Sequence, residues 1–373
     1  SLAAPAPWWR SEENMMRRRS KILLGLVFVG LVAFVAVRHW QADIGERLFA
    51  RGVEARVGRD VTLGLADGLH IGLCGTGSPL PNADRAGPCT VVIAGKRVFV
   101  VDSGEGGARN ISMMGIPNGK IERLFLTHFH SDHMDGLGPM MLLRWTGSAH
   151  KAPLPIHGPE GVTAVVDGFN GAYTADFGYR VAHHGEKLIP SSGAGGAAVS
   201  FAIPTGPSVI FDDGGLRVTA FPVDHKPVMP AVGYRFDYKG RSVVISGDTA
   251  KSSMVEQVSK GADLLVHEAL QPRLVKLMTA GLEKKGVKNT AQITRDILDY
   301  HASPEEAAQS AKAAGVKMLL LTHIVPPLPN RFFYPAFLGD AARQYPGEIV
   351  VGEDGMFLSL PAAKPTIERR KLL

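Results

Sequence analysis

Three imidazoles and a carboxylate stand within six positions of this chain. They are His128, His130, Asp132 and His133, directly after the apolar run Leu124-Phe125-Leu126. Few structural roles call for that density of nitrogen and oxygen ligands. Zinc takes His and Asp readily, and a catalytic site keeps one coordination position open for water. The segment reads as a strand that ends in a metal-binding loop; the plainer alternative is a polar loop whose histidines only cap or solvate. Three more candidates share one placement, each where an apolar strand runs out. His225 follows Phe221-Pro222-Val223-Asp224, Asp248 follows Val243-Val244-Ile245-Ser246-Gly247, and His323 follows Leu319-Leu320-Leu321-Thr322. Strand ends can deliver such groups to one sheet edge and hold them there. Two metal ions a few ångströms apart need about three protein ligands each and a bridge. His128, His130 and His225 would hold one ion, and Asp132, His133 and His323 the other. Asp248 would bridge them, with a hydroxide bridging opposite, and Asp132 would belong to the catalytic set as well. Two zinc ions per chain are expected, although a His/Asp set also suits iron or manganese.

The elements that must position these groups can be read from apolar patterning. Leu69–Cys74 reads as a strand ending in the turn Gly75-Thr76-Gly77-Ser78-Pro79, and Thr90–Ala94 with Arg97–Asp102 as a hairpin around Gly95-Lys96. Further strands are expected at Ile121–Leu126, Pro153–Ile156, Leu216–Pro222, Ala231–Tyr238, Arg241–Ile245, Leu264–His267 and Met318–Thr322. Helices are expected at Gly136–Trp145 and Gly161–Phe169, and a capping box at Ser303-Pro304-Glu305-Glu306 opens another that runs to Gly315. The Gly/Ser/Ala-rich stretch Ser191–Ala198 has the composition of a mobile surface loop. Early hairpins and late strand–helix alternation together indicate a mixed, layered α/β fold.

The chain has 373 residues, 45% of them hydrophobic and 20% charged, enough for a sizeable core. Residues 1–60 hold ten Lys/Arg against six Asp/Glu, and the remainder 31 against 29. The catalytic region is thus near neutral, which argues against a large polyanionic partner. Ile22–Val37 is free of charge, with Arg17, Arg18, Arg19 and Lys21 before it and Arg38 after it. With its flanks it reaches the ~17–25 residues of a membrane helix. It lacks the small-residue cleavage site of a secretory signal. The expected organisation is a tail without fixed structure at 1–20, with Met15 or Met16 the more natural start. A transmembrane anchor at 21–40, an amphipathic connector at 41–66, the hydrolase domain at 67–362 and a tail at 363–373 follow. The positive cluster before the anchor places the N-terminus in the cytoplasm and the domain on the periplasmic or extracytoplasmic side of a single-pass membrane protein. The two cysteines, Cys74 and Cys89, read equally as one bridge in an oxidising compartment or as two buried thiols.

Several of these residues, in this order, resemble the metallo-β-lactamase superfamily and, within it, the ribonuclease Z-like branch. They are Gly75-Thr76-Gly77, Asp102-Ser103-Gly104-Glu105-Gly106, the His128–His133 cluster, Ser246-Gly247-Asp248-Thr249, His267-Glu268-Ala269 and Leu321-Thr322-His323. His225 with Gly233-Tyr234 is similar to a fourth metal-binding stretch of that branch. The resemblance covers about residues 70–360 and implies an α/β fold, a four-layer αββα sandwich, preceded here by the membrane helix. It also implies that Glu268 and His301 pair beside a scissile phosphate and assist proton transfer, a His held by a carboxylate being a suitable general acid. The alternative for that pair is a structural cap on the helix beginning near Ser303. The chain departs from the branch at Leu270, where Thr is usual, and in the segment His301-Ala302-Ser303. Asp102 is expected either to orient a ligand His or to cap a turn. His183 and His184 are weak candidates for a substrate contact, and Tyr173, Phe177 and Tyr179 are expected to pack or to cover the site.

The expected function is that of a membrane-anchored dinuclear zinc hydrolase, first of all a ribonuclease Z-like phosphodiesterase. The neutral domain, the extracytoplasmic placement and the lack of a basic arm count against tRNA as the substrate. A hydrolase of a small ester, sulfate ester, lactone or β-lactam on the same metals is the second reading. A binding protein that kept the fold without the chemistry is the third. The expected partners are a small-molecule or phosphodiester substrate, the membrane through the N-terminal helix, and a second copy in a homodimer.

Overall fold

The computed structural model describes residues 9–373. It divides into two compact units, Ser1–Arg59 and Asp60–Leu373. In the first, one helix runs unbroken over Trp9–Arg56. Residues 9–20 are therefore helical rather than an unstructured tail, and residues 1–8 lie outside the described residues. The expected anchor and the greater part of the expected connector lie in this one helix. Residues 9–56 hold no proline and only isolated glycines, so nothing interrupts the hydrogen-bond ladder. Gly58, at φ 75°, ends the helix in the left-handed conformation that glycine adopts freely. An apolar 18-residue window within Glu13–Arg56 has a mean hydropathy of 2.5 and no buried residues, which makes the helix long and apolar enough to cross a membrane.

The second unit is built on two sheets. The first contains β1 (Gly68–Gly75), β2 (Cys89–Ala94), β3 (Arg97–Val101), β4 (Ile121–Phe125), β5 (Leu154–Pro159) and β6 (Gly196–Phe201). The second contains β7 (Ser208–Asp213), β8 (Leu216–Pro222), β9 (Val232–Tyr238), β10 (Arg241–Ile245), β11 (Leu264–Leu270), β12 (Met318–Val325) and β13 (Glu348–Val351). The chain then returns to the first sheet through β14 (Met356–Pro361) and β15 (Glu368–Lys371), giving the order β15-β14-β1-β2-β3-β4-β5-β6 against β13-β12-β11-β10-β9-β8-β7.

Strand periodicity assigns each side chain to a layer. Leu69, Ile71, Leu73, Phe99 and Phe125 from the first sheet meet Val218, Phe236, Val243, Val266 and Leu320 from the second in a core between the sheets. The intervening Val91, Ile93, Val98 and Val100 face outward onto the helices Gly107–Met113, Leu137–Ser148 and Val162–His184. On the far side Val244, Leu265, Leu319 and Leu321 pack under the helices Ser253–Val258 and Pro304–Ala314. The result is the expected four-layer αββα sandwich. Both faces of each central strand are covered, which is why these strands read as nearly continuous apolar runs. The strands β3, β4 and β5 are parallel, as are β10, β11 and β12, so their carboxyl ends can present loops to a common edge.

Three expectations change. Ser191–Ala198 is not a loose linker: Gly196 opens β6, and Asn170 holds its N–H and carbonyl at 2.9 Å each. A side chain at Gly196 would collide with Ile156 and Met141, so the small residues serve close packing. The helix expected to end at Phe169 continues to His184 because Tyr173 and Phe177 pack on Gly138 and Trp145. Residues 363–373 are not a free tail, since β15 pairs antiparallel with β14 and Arg370 covers the Phe357 ring. A charged strand suits this exposed edge. Cys74 and Cys89 form a disulfide that ties the end of β1 to the start of β2.

A buried ion pair joins the second sheet to the C-terminal segment. Arg241 donates to Asp263 at 2.9 Å and to the carbonyl of Pro361 at 2.9 Å, and Lys317 reaches the other Asp263 oxygen at 2.6 Å. The Arg241 and Asp263 side chains are 5% and 6% exposed. Burial alone would raise the Asp263 pKa, but Lys317 and Arg241 outweigh it and hold it below the ordinary 3.8. The unfolded chain therefore takes up this proton first, so the stabilisation is intact above about pH 4 and is lost as pH falls through the lowered value. Asp263→Asn should cost about 3–5 kcal/mol because it leaves the Arg241 charge buried without a partner. Urea unfolding at pH 7 would measure the loss, and the difference from wild type should shrink below about pH 3.

Candidate metal centre

All the predicted ligands but one follow the end of a strand. His128 and His130 follow β4, and Asp132 and His133 sit in the single turn Ser131–Met134. His225 follows β8, and Asp248 follows β10. His323 lies inside β12 at a bulge, where Glu268 pairs with Thr322 and Ala269 with Ile324, so the intervening residue is left over. Its φ of 47° turns the side chain out of the ladder toward the site. Asp102, at φ 58°, is the second non-glycine residue of the site in the left-handed region.

The side chains form two groups, and within each the ligand atoms lie within 4.8 Å of one another: His128, His130, His225 and Asp248, and then Asp132, His133 and His323. In the first, His128 Nε2 is 3.0 Å from His130 Nδ1, which is 3.4 Å from His225 Nε2. In the second, His323 Nε2 is 3.3 Å from Asp132 Oδ2, and His133 Nε2 is 3.6 Å from the same oxygen. One atom of the first group also faces the second. Asp248 Oδ2 lies 3.9 Å from His128, 4.0 Å from His225, 3.4 Å from His133 and 3.2 Å from His323. A tetrahedral zinc with bonds of about 2.1 Å separates its ligands by about 3.4 Å, so the spacing fits.

The opposite ring nitrogens show which lone pairs face inward. His225 Nδ1 donates to the Tyr300 carbonyl at 3.0 Å, and His133 Nδ1 donates to Asp102 Oδ2 at 2.9 Å. Thr127 Oγ1 lies 3.1 Å from His128 Nδ1 and bonds both Asp102 oxygens. These partners leave each Nε2 free for a ligand bond, as metal-bound histidines require. His133 Nε2 is buried with no hydrogen-bond partner. Electrostatics also favour a cation. Burial, then neighbouring imidazoles, holds the His128 pKa well below the ordinary value, and burial lowers His130 and His225. At His133 and His323 burial is outweighed by Asp248 and Asp132, which push His323 up to about 9. Asp248 stays ionised despite burial because His323 and His133 face it. Neutral imidazoles on one side and carboxylates seeking positive charge on the other make a donor set that divalent metals satisfy.

Beside these groups His301 Nδ1 lies 3.1 Å from Glu268 Oε1, which also accepts from the backbone N–H groups of Thr249 at 3.2 Å and Ala302 at 2.9 Å. The His301 ring stacks on His323 with centroids 5.4 Å apart.

Comparison with known proteins agrees with this geometry. Residues 100–324 match the family described as Beta-lactamase superfamily domain. Ribonuclease Z of Mycobacterium avium (strain 104) is 37% identical over 289 residues, spanning 77% of this chain and 96% of that protein. The chain belongs to the metallo-β-lactamase superfamily. It is a ribonuclease Z-like member and a metal-dependent hydrolase. Ribonuclease Z of Mycolicibacterium gilvum (strain PYR-GCK) is 36% identical over 292 residues, 77% of this chain and 94% of the relative. The fold is shared with the metallo-beta-lactamase fold protein YhfI from Bacillus subtilis, at TM-score 0.56, 20% identity, and 78% and 99% coverage of the two chains. Human tRNase Z, short form, gives TM-score 0.54 and 23% identity, with the same coverage.

Within this superfamily member the weaker candidates fall elsewhere. His183 and His184 are exposed at the end of their helix, His150 bonds the Gly119 carbonyl, and His157 is buried beside Phe125. Asp224 points to solvent beside His225. Tyr173 and Phe177 pack on the helix Leu137–Ser148 and do not cover the site. Sequence reasoning missed Thr127, although its place between strand and ligand loop was a signal. It also missed the Tyr300 carbonyl and the Ala302 N–H, which no side-chain pattern reveals. Replacing Asp102 with Ala should lower metal affinity about 10–100-fold by freeing His133 and Thr127, as read by competition with a chelator on folded protein.

Proposed function

We propose that this protein is a membrane-anchored dinuclear zinc phosphodiesterase, with iron or manganese as the alternative metals. The observation that carries the reading is the shared Asp248 oxygen between two donor groups, with the Glu268–His301 pair beside them. Two bound cations would make water a nucleophile near neutral pH and neutralise charge developing on phosphorus oxygens. Glu268 holds His301 through Nδ1, which leaves Nε2 to carry a proton to the departing oxygen as the phosphorus–oxygen bond breaks. Three donors to Glu268 Oε1 keep that carboxylate from turning away. Asp102, Thr127 and the Tyr300 carbonyl orient the imidazoles, and Asp132 completes the second donor group. RNA as the substrate is supported by the names of the ribonuclease Z relatives.

One observation favours the second reading, a small neutral ester or lactone. A cavity of about 480 Å³ beside the centre is lined by Glu105, Asp132 and Asp135. Its one cation, Arg85, is spent on Thr76, the Gly352 carbonyl and Tyr334. An acidic mouth repels a long polyanion, so a small uncharged ester or lactone fits it better than a folded tRNA.

Membrane anchoring is supported by the apolar helix and its basic N-terminal flank, and the extracytoplasmic placement by a disulfide made from the only two cysteines. A C-terminal alkaline phosphatase fusion should be active and a C-terminal fluorescent cytoplasmic reporter dark; the reverse pattern would refute the placement.

Activity can be tested with matched leaving groups. His301→Ala should slow an alkyl phosphodiester about 10²–10⁴-fold with metal content unchanged. Bis-p-nitrophenyl phosphate, whose leaving group needs little protonation, should lose much less. Equal losses on both substrates would refute proton donation by His301, and turnover of lactones or β-lactams alone would refute the phosphodiester reading.

A further inference from the structure

We propose that the helical hairpin formed by Pro272–Lys284 and Lys288–Asp296 is a docking surface for an anionic lipid bilayer. Residues 272–296 hold six Lys/Arg and two Asp/Glu, whereas the rest of the chain after residue 60 holds 25 against 27. The positive charge of the catalytic unit is therefore concentrated in one element. Arg273 pairs with Glu305 at 3.7 Å, and Arg295 pairs with Glu283. Among the described residues Lys276, Lys284, Lys285 and Lys288 have no acidic partner within 4 Å.

The inner face of the hairpin is fully used. Val275 packs with Leu270 and Val325, and Thr279 and Thr294 join the two helices at 2.8 Å. The outer face of the first helix carries Arg273, Lys276, Leu277, Ala280, Gly281 and Lys284, all exposed and spaced along one helical stripe. The tip from Glu283 to Asn289 is exposed throughout. Between these charges Leu277 is 70% exposed, Ile293 57% and Val287 43%.

Aliphatic and ammonium groups on one surface select the partner. A nucleic-acid backbone would attract the lysines but leave Leu277, Val287 and Ile293 in water. Single-stranded RNA also calls for aromatic or arginine stacking; residues 272–296 contain no Phe, Tyr or Trp, and their two arginines, Arg273 and Arg295, are paired with glutamates. A bilayer rewards both chemistries: the aliphatics enter the acyl boundary, and each lysine near an anionic surface strengthens binding about fivefold. The hairpin leads directly into the segment that supplies the Tyr300 carbonyl and His301, so a docked hairpin sets the mouth of the centre close to the lipid surface.

The test uses the full chain in nanodiscs of phosphatidylcholine, alone or with about one third phosphatidylglycerol, and follows amide exchange across residues 272–296. Exchange should slow about tenfold or more in the anionic discs. High salt and the variant K276E/K284E/K285E/K288E should abolish the protection, and L277N/I293N should weaken it while the charge is kept. Equal exchange in the two discs, or protection that survives charge reversal, would overturn the proposal. So would protection by single-stranded RNA in the absence of any effect of lipid. A chain that fails to enter neutral discs refutes the N-terminal anchor instead. Flotation of that chain with anionic vesicles then reads the hairpin: binding lost in the four-glutamate variant supports it, and no binding overturns it.

Discussion

A single carboxylate oxygen, Asp248 Oδ2, lies within 4.0 Å of four imidazole nitrogens from three different parts of the chain. Almost nothing of this carboxylate is exposed, so water cannot stabilise its charge. Burial of an ion at such a place is costly unless positive charge and hydrogen-bond donors surround it. The whole sandwich serves to keep those partners in place. Two rigid sheets bring their strand ends to one edge, and loops too short to wander carry the ligands.

Ligand positions alone would not suffice, because each imidazole can rotate and exchange tautomers. The surrounding polar atoms remove that freedom. Asp102 holds His133, Thr127 links Asp102 to His128, and the Tyr300 carbonyl holds His225. The backbone contributes strain of its own: Asp102 and His323 sit in the left-handed region, which costs a side chain of this kind about 1–3 kcal/mol. That cost is accepted where it re-aims a group at the site. The same logic extends to Glu268, whose one oxygen collects three donors and so gives His301 a fixed partner.

Much of this was legible because the ligands are chemically conspicuous and their strands are apolar on both faces. His128, His130, Asp132 and His133 declare themselves by density, and His225, Asp248 and His323 by following apolar runs. Ser303 and Glu306 form the expected capping box, with bonds of 3.2 and 2.8 Å in the two directions. The errors also have physical causes. Composition suggested a linker at Ser191–Ala198, but small residues equally suit a strand packed tightly beneath a helix. Residues 363–373 read as a tail, but their charged side chains suit an edge strand, whose solvent face tolerates charge. The hairpin at 272–296 is hard to read because its buried face is small, Val275 and Thr279 on one helix and Ala291 and Thr294 on the other.

By itself the sequence determined the donor types, the strands that carry them and the superfamily they belong to, because hydrophobic periodicity and ligand chemistry are local properties. It also set the apolar character of the N-terminal segment. Only the tertiary structure decided that Asp248 lies between two groups, that His323 occupies a bulge, that Cys74 and Cys89 are bridged, and that the backbone of Tyr300 and Ala302 orients the site. Those features depend on contacts between residues far apart in the chain, where no local pattern records which carbonyl or amide will be nearest.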